Sequence, residues 1–277
     1  MSIYTHVPPL PLSRYVEWFW YYRDFVPDHD REHVLPNGSF ELIINLEERP
    51  RRLFDRQNPS QHQSFRRGWL SGVHTEYLII DALRNSTMMG VHFRPGGAAP
   101  FLGLPAGELG DAVVELDDVW GNRVWEWRDK LGEAATPQAK FKVLEKLLVL
   151  RLDRTQAAGR AEESTHWALQ RFLHQPQVIT IRAVSGALGM SQKHFIETFR
   201  RNVGVTPKRF CRIRRFQQAL SQIQARQKVD WADVVCSCGY YDQAHFINEF
   251  SAFCGMSPSA YLTQRLEGDP NFARAAN

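Results

Sequence analysis

Two short runs of side chains in the carboxy-terminal third suit hydrogen bonding to base edges rather than catalysis. The first is Lys193, Ile196, Glu197 and Arg200; the second is Gln243, Ala244, Ile247, Asn248 and Ser251. Asn and Gln pair with adenine, Arg and Lys with guanine, and an aliphatic tip touches the thymine methyl. Within each run the spacing places the members on one face of a helix. Glu197 is the discordant member, because phosphates repel a carboxylate. It either accepts from a cytosine amino group or orients Arg200 or Arg201.

The elements that position these runs occur twice. With a shift of 51 residues, His194, Phe195, Ile196, Phe199, Gly204 and Pro207 fall on His245, Phe246, Ile247, Phe250, Gly255 and Pro258. Upstream, a shift of 50 puts Gly189 on Gly239. Each copy reads as helix, turn, helix. In the first, Thr180 and Ser191 are the helix caps, Gly189 makes the turn, and Phe195 and Phe199 lie one helical turn apart on the buried face. In the second, Asp230 and Asp242 are the caps, with Trp231, Val234, Phe246 and Phe250 inside. A helix over 207–224 joins the copies, burying Phe210, Ile213, Leu220 and Ile223. Its Lys208, Arg209, Arg212 and Arg215 are placed to lie along phosphates.

This stretch resembles the tandem helix-turn-helix domain of the AraC/XylS family of bacterial transcription regulators. The residues that carry the likeness are Cys238-Gly239-Tyr240-Tyr241-Asp242-Gln243-Ala244-His245-Phe246-Ile247, then Phe250 and Gly255-Met256-Ser257-Pro258. The resemblance implies a regulator whose two units enter successive major grooves of double-stranded DNA. Relatives often carry a basic residue where Asn248 stands, so the resemblance does not assign the base read there. The expected interface comprises Ser191, Gln192, Lys193, His194, Ile196, Glu197, Arg200, Arg201, Lys208 and Arg209 in the first half of the domain. In the second half it comprises Asp242, Gln243, Ala244, His245, Ile247 and Asn248. The paired His194 and His245 have two readings, a repeated structural role or a phosphate contact.

Charge divides along the same line. Residues 165–266 hold 13 Lys+Arg against 5 Asp+Glu, whereas the remainder holds 21 against 25. A basic domain joined to a mildly acidic one suits a DNA-binding module with a partner domain. Within the basic part, 165–215 has 10 basic residues and 1 acidic, and 216–266 has 3 and 4. The first unit is thus expected to supply most of the phosphate attraction.

The amino-terminal half reads as short strands. Tyr15–Phe25 is dense in aromatic residues, Pro36–Ser39 is a turn before a strand at Phe40–Leu46, and Tyr77–Ile80 and Met88–Arg94 are two more. Leu35–Leu42 and Val91–Gly97 resemble the β-rich sensor domain of one branch of the family, which implies a cupin-like barrel or sandwich. Helices are expected over 117–131 and from Pro137 to about Arg154. The stripe Phe141, Leu144, Leu147, Leu148 and Leu152 on the latter packs on its own domain or forms a dimer seam. The whole chain is read as α+β. Residues 1–155 form the β-rich half with helices, 156–164 a linker, 165–266 the all-α DNA-binding domain and 267–277 a frayed tail.

Trp18, Trp20, Tyr22, Glu41 and Arg94 are the candidate holders of a small organic effector, or simply core. His33, His74 and His92 match no metal-ligand spacing, and Cys236-Ser237-Cys238 is not a zinc motif, so neither metal nor cofactor is expected. Cys211, Cys238 and Cys254 align with Leu262, Leu188 and Val203 of the other copy, which reads as packing. No nucleophile elbow, phosphate loop or carboxylate pair is visible, so no catalytic residue is expected. The opening residues lack a signal-like pattern and no run of roughly 18 apolar residues occurs, so a cytoplasmic protein is expected. DNA is the expected partner of a monomer or homodimer, with RNA polymerase a further candidate. The alternatives are an enzyme of repair or metabolism carried to DNA, disfavoured because no cysteine precedes position 211, or a docking partner of another regulator.

Overall fold

Alternation decides the amino-terminal half. Along Val16–Phe25, Phe19 and Tyr21 turn to one face, and Trp18, Trp20 and Tyr22 to the other. Both faces are apolar, so the strand must be covered on two sides. The computed structural model describes residues 2–121, 124–155, 160–176, 179–225, 229–266 and 271–275. Its strands are β1 (Ser2–His6), β2 (Val16–Phe25), β3 (Arg31–Val34), β4 (Glu41–Asn45), β5 (Arg51–Phe54) and β6 (His62–Phe65). They continue with β7 (Gly68–Ser71), β8 (Leu78–Asp81), β9 (Ser86–Phe93), β10 (Val113–Glu115) and β11 (Phe272–Arg274).

Two antiparallel sheets result, one in the order β1-β2-β9-β4-β7-β10 and the other β11-β3-β8-β5-β6. They realise the expected β-rich sandwich. Phe19, Leu42, Ile44, Met89, Val91 and Phe93 face a helical layer and join the main apolar core. Trp18, Trp20, Tyr22, Glu41, Met88 and His92 face the second sheet. Arg51 of β5 crosses that gap, bonding Asp81 Oδ1 at 2.6 Å and Met88 Sδ at 3.5 Å. Gly90 is needed in β9 because the Trp20 indole lies where any Cβ would stand, 2.2 Å from its nearest atom.

The helical layer consists of α1 (Ala99–Leu102), α2 (Leu116–Trp120), α3 (Val124–Glu133) and α4 (Pro137–Thr155). The single helix expected over 117–131 is therefore two, with a break at Gly121; Trp120 and Trp127 still meet across it at 5.1 Å. Helix α4 begins where expected, with Ala139 N–H donating to Thr136 Oγ1. Its stripe of Phe141, Leu144, Leu147, Leu148 and Leu152 is buried within the chain, which removes it as a dimer seam.

Helix α5 (Arg160–His174) already covers residues 160–164 of the expected linker, while 156–159 lie outside the described residues. There follow α6 (Ile181–Ala187), α7 (Gln192–Val203), α8 (Pro207–Gln224), α9 (Trp231–Ser237), α10 (Gln243–Cys254) and α11 (Pro258–Gln264). The tail is not frayed where it is described: β11 pairs with β3, Phe272 against Val34 and Arg274 against Glu32. A three-residue strand carries no periodicity of its own, and the free edge of β3 supplies its partners. One contiguous core runs from Leu12 through the helices to Ala273, so the two halves pack on each other.

Candidate nucleic-acid interface

Each reading helix is built by a cap, a buried phenylalanine pair and a left-handed stop. Ser191 Oγ accepts from His194 N–H at 3.2 Å to start α7, and Asp242 Oδ1 accepts from His245 N–H at 2.7 Å to start α10. Such caps satisfy backbone donors that the first turn leaves open. Phe195 and Phe199 fill the inner face of α7, and Phe246 and Phe250 that of α10. Gly204 (φ 100°) and Gly255 (φ 76°) end the two helices in a conformation that side chains resist. Helix α8 joins the units through Phe210 against Phe199 at 5.8 Å and Phe216 against Phe250 at 5.2 Å.

The outer faces are open. Gln192, Lys193, His194 and Glu197 are exposed on α7 with Ile196 half-buried, and Gln243, Ala244, Ile247 and Asn248 are exposed on α10. Ser191 and Asp242 sit beside them as caps, and Lys208 is exposed at the start of α8. The two histidines diverge. His194 points outward, whereas the His245 ring accepts from Tyr241 N–H at 3.3 Å and stands edge-on to Tyr240.

Several expected phosphate cations are placed differently. Arg200 donates to Gly107 O at 3.3 Å, because the end of α7 docks on the 3-10 turn Ala106–Glu108. Arg201 lines a cleft of about 1120 Å³ between the halves, together with Arg14 and Arg94. Arg209 pairs with Asp111 at 3.5 Å. Arg212 and Arg215 turn inward to Glu249, at 2.8 Å each. Glu249 is a functional residue absent from the sequence-based expectations, although it follows Phe246 by about one helical turn; a carboxylate on that apolar face requires a cation. Arg214 is half-buried at the seam, where desolvation lowers its pKa and the Glu17 carboxylate opposes the shift.

Four of the five candidate effector residues meet between the sheets. Trp18 stacks on His92 at 4.3 Å, Trp20 Nε1–H donates to Glu41 at 3.3 Å, and Trp20 stacks on Tyr22 at 5.6 Å. His92 forms a short bond to Glu41 and lies 3.7 Å from Glu17. Arg94 is elsewhere, exposed and bonded to Ser13 O. It follows the last residue of β9, so the alternation that aims His92 inward no longer applies to it. The three histidines considered as ligands lie apart in their bonding: His33 bonds Cys254 O and His74 bonds Ser71 Oγ. Burial pushes the His74 pKa down to about 4. Cys238 and Cys254 are buried, Cys211 is half-buried with its thiol pushed up to about 12, and Cys236 is exposed.

No described helix is long and apolar enough to cross a membrane. Residues 184–264 match a family model described as a helix-turn-helix domain, and residues 4–115 match a domain of unknown function (DUF6597). A probable transcriptional regulator, LumQ of Photobacterium leiognathi, is 30% identical over 88 residues, which is 32% of this chain and 35% of that protein. An uncharacterized HTH-type transcriptional regulator of Haemophilus influenzae is 33% identical over 95 residues, 34% of this chain and 32% of the relative. This chain thus spans about a third of the length of the curated relatives it matches. Among solved structures, unsaturated fatty acid-bound ToxT of Vibrio cholerae superposes with a TM-score of 0.48 at 10% identity, covering 91% of this chain and 95% of that one. A transcriptional dual regulator of Escherichia coli K-12 superposes with a TM-score of 0.30 at 22% identity, covering 39% and 95%. Residues 184–264, with their repeated caps, phenylalanine pairs and glycine stops, form a helix-turn-helix domain of AraC type.

Proposed function

We propose that this protein is a bacterial transcription regulator that grips double-stranded DNA with both helix-turn-helix units and adjusts that grip through its β-rich half. The observation that carries the reading is the pair of equivalent helices α7 and α10, each filled inside by phenylalanine and open and polar outside. On a duplex they enter successive major grooves about 34 Å apart, with α8 setting the separation. Gln192, Lys193 and Glu197 read at the first groove, and Gln243, Ile247 and Asn248 at the second.

The β-rich half is the sensor. Its candidate effector site lies between the sheets at Trp18, Trp20, Tyr22 and Glu41, where aromatic faces adjoin a carboxylate–imidazole pair and a ligand would have to part packed side chains. His92 links Glu41 to Glu17, and Glu17 is the charged neighbour of Arg214 on α8. A ligand that shifts this chain of groups shifts α8. In the docked arrangement Arg200 and Arg209 bond the sensor half, so phosphates and the sensor compete for them. The protein acts in the cytoplasm as a monomer or homodimer, with RNA polymerase a partner, and no residue is assigned a catalytic role.

The test is the salt dependence of duplex binding by the full chain. If about 5 phosphates are neutralised, log K falls against log salt with a slope near −4.5. Lys193→Ala reduces that slope by about 1. A slope near zero contradicts the electrostatic grip.

A further inference from the structure

The proposed DNA grip leaves one unusual side chain unused. Between the turn glycine and the first buried phenylalanine, the first unit has five residues, Met190–His194, and the second has six, Tyr240–His245. Met190 and Tyr240 both turn inward, and Ser191 and Asp242 both cap, so the added residue is Tyr241. We propose that Tyr241 is a further DNA contact, which seats the start of α10 by donating its phenolic O–H to a backbone phosphate and laying its ring on the adjoining sugar. This rests on the DNA-binding reading above.

Three observations converge on Tyr241. Its exposure is 92%, whereas the other exposed large apolar side chains among the described residues reach at most 68%. Single exposed apolar residues are ordinary, but most of those here lie on the β-rich half, and only Tyr241 and Ile247 lie in the DNA-binding half. Its backbone is fixed, because Tyr241 N–H donates to His245 Nδ1 and the next residue caps the helix. A fixed backbone lowers the cost of ordering the ring on a partner. Finally, the second unit is short of cations: residues 216–266 carry 3 basic and 4 acidic residues. The nearby Arg212 and Arg215 are held by Glu249. Such a unit needs neutral phosphate contacts, and tyrosine is among the side chains that make them.

The test uses the full chain, with a duplex enriched by the wild type from a random pool and a scrambled duplex of equal length. Tyr241→Ala is expected to weaken binding to both by about tenfold and Tyr241→Phe by about threefold. The salt slope stays unchanged because no charge is removed, and the unfolding midpoint stays unchanged because the side chain packs on nothing. Wild-type affinity in Tyr241→Ala, with Asn248→Ala still altering the preferred sequence, overturns the Tyr241 contact and leaves DNA reading intact. Wild-type affinity in Tyr241→Phe overturns the phosphate bond. A wild type that enriches no duplex at low salt removes the parent reading and this one with it.

Discussion

Where the first helix-turn-helix unit carries Thr198, the second carries Glu249, and the two units are held accordingly. The first is fastened by aromatic contact: Phe172 of α5 meets Phe195 at 6.4 Å and Phe199 at 5.7 Å, and the end of α7 rests on Ala106–Glu108. The second is fastened by an ionic clasp from α8 to Glu249 and by three ties to the β-rich half. His33 bonds Cys254 O, the Tyr77 ring lies 2.5 Å from where a Cβ on Gly255 would stand, and β11 returns to pair with β3. The caps and phenylalanines that aim the reading helices are repeated, and the tethers are not. Orientation is thus a property of the unit, whereas attachment to the sensor is particular to each copy.

The common part is the largest energetic element. Phe199→Ala and Phe250→Ala each remove a fully buried ring and are expected to cost about 3–5 kcal/mol in denaturant unfolding. A loss under about 1 kcal/mol at one site would break the equivalence of the two cores. Glu249→Gln comes next, at about 2 kcal/mol, because the carboxylate is buried and Arg215 is left nearly so. Thr198→Val in the first unit, which has no such clasp, is expected to change stability by under about 0.5 kcal/mol. Equal effects at Glu249 and Thr198 would erase the contrast.

Base reading follows. Asn248→Ala is expected to relax preference at one position by about 1–3 kcal/mol. An unchanged preferred sequence removes Asn248 from the reading set. The smallest effect is on pH. Burial lowers the His33 pKa, so the folded protein favours the neutral ring. The stability gained by burying the neutral ring is complete above the ordinary histidine pKa of about 6.5 and declines as pH falls below it, with the bond to Cys254 O opposing the shift. Hydrogen-exchange protection factors, taken against the intrinsic rate at each pH, should fall on acidification at the second unit more than at the first. His33→Gln should remove the difference, and a difference that persists in it assigns the effect elsewhere.

What the sequence disclosed was what a few residues decide locally. Ser191, Asp242, Gly204 and Gly255 act within one turn of themselves, so the reading helices could be bounded before any packing was known. Strand-prone residues beside turn residues, Asn37-Gly38 before β4 and Pro95-Gly96-Gly97 after β9, likewise located β4, β8 and β9. The fates of Arg200, Arg209, Arg212 and Arg215 depend on which surface docks beside them, and a helical wheel contains no such information. The Arg215–Glu249 pair spans 34 residues and forms only where α8 and α10 cross. The tail was unreadable for a similar reason, since Phe272-Ala273-Arg274 becomes a strand only beside the free edge of β3. Arg94 fell outside the sensor interior because it lies one residue past the end of β9.

The central claim, that two equivalent helices read one duplex, is tested most directly by selecting bound duplexes from a random pool with the full-length protein. The full chain is the right reagent, because β11 and the shared core tie the DNA-binding half to the β-rich half. The account predicts one enriched motif of two boxes whose centres lie about 10–10.5 base pairs apart. It also predicts that Asn248→Ala blurs one box and leaves the other sharp. Enrichment of a single box, or of none at low salt, would contradict it.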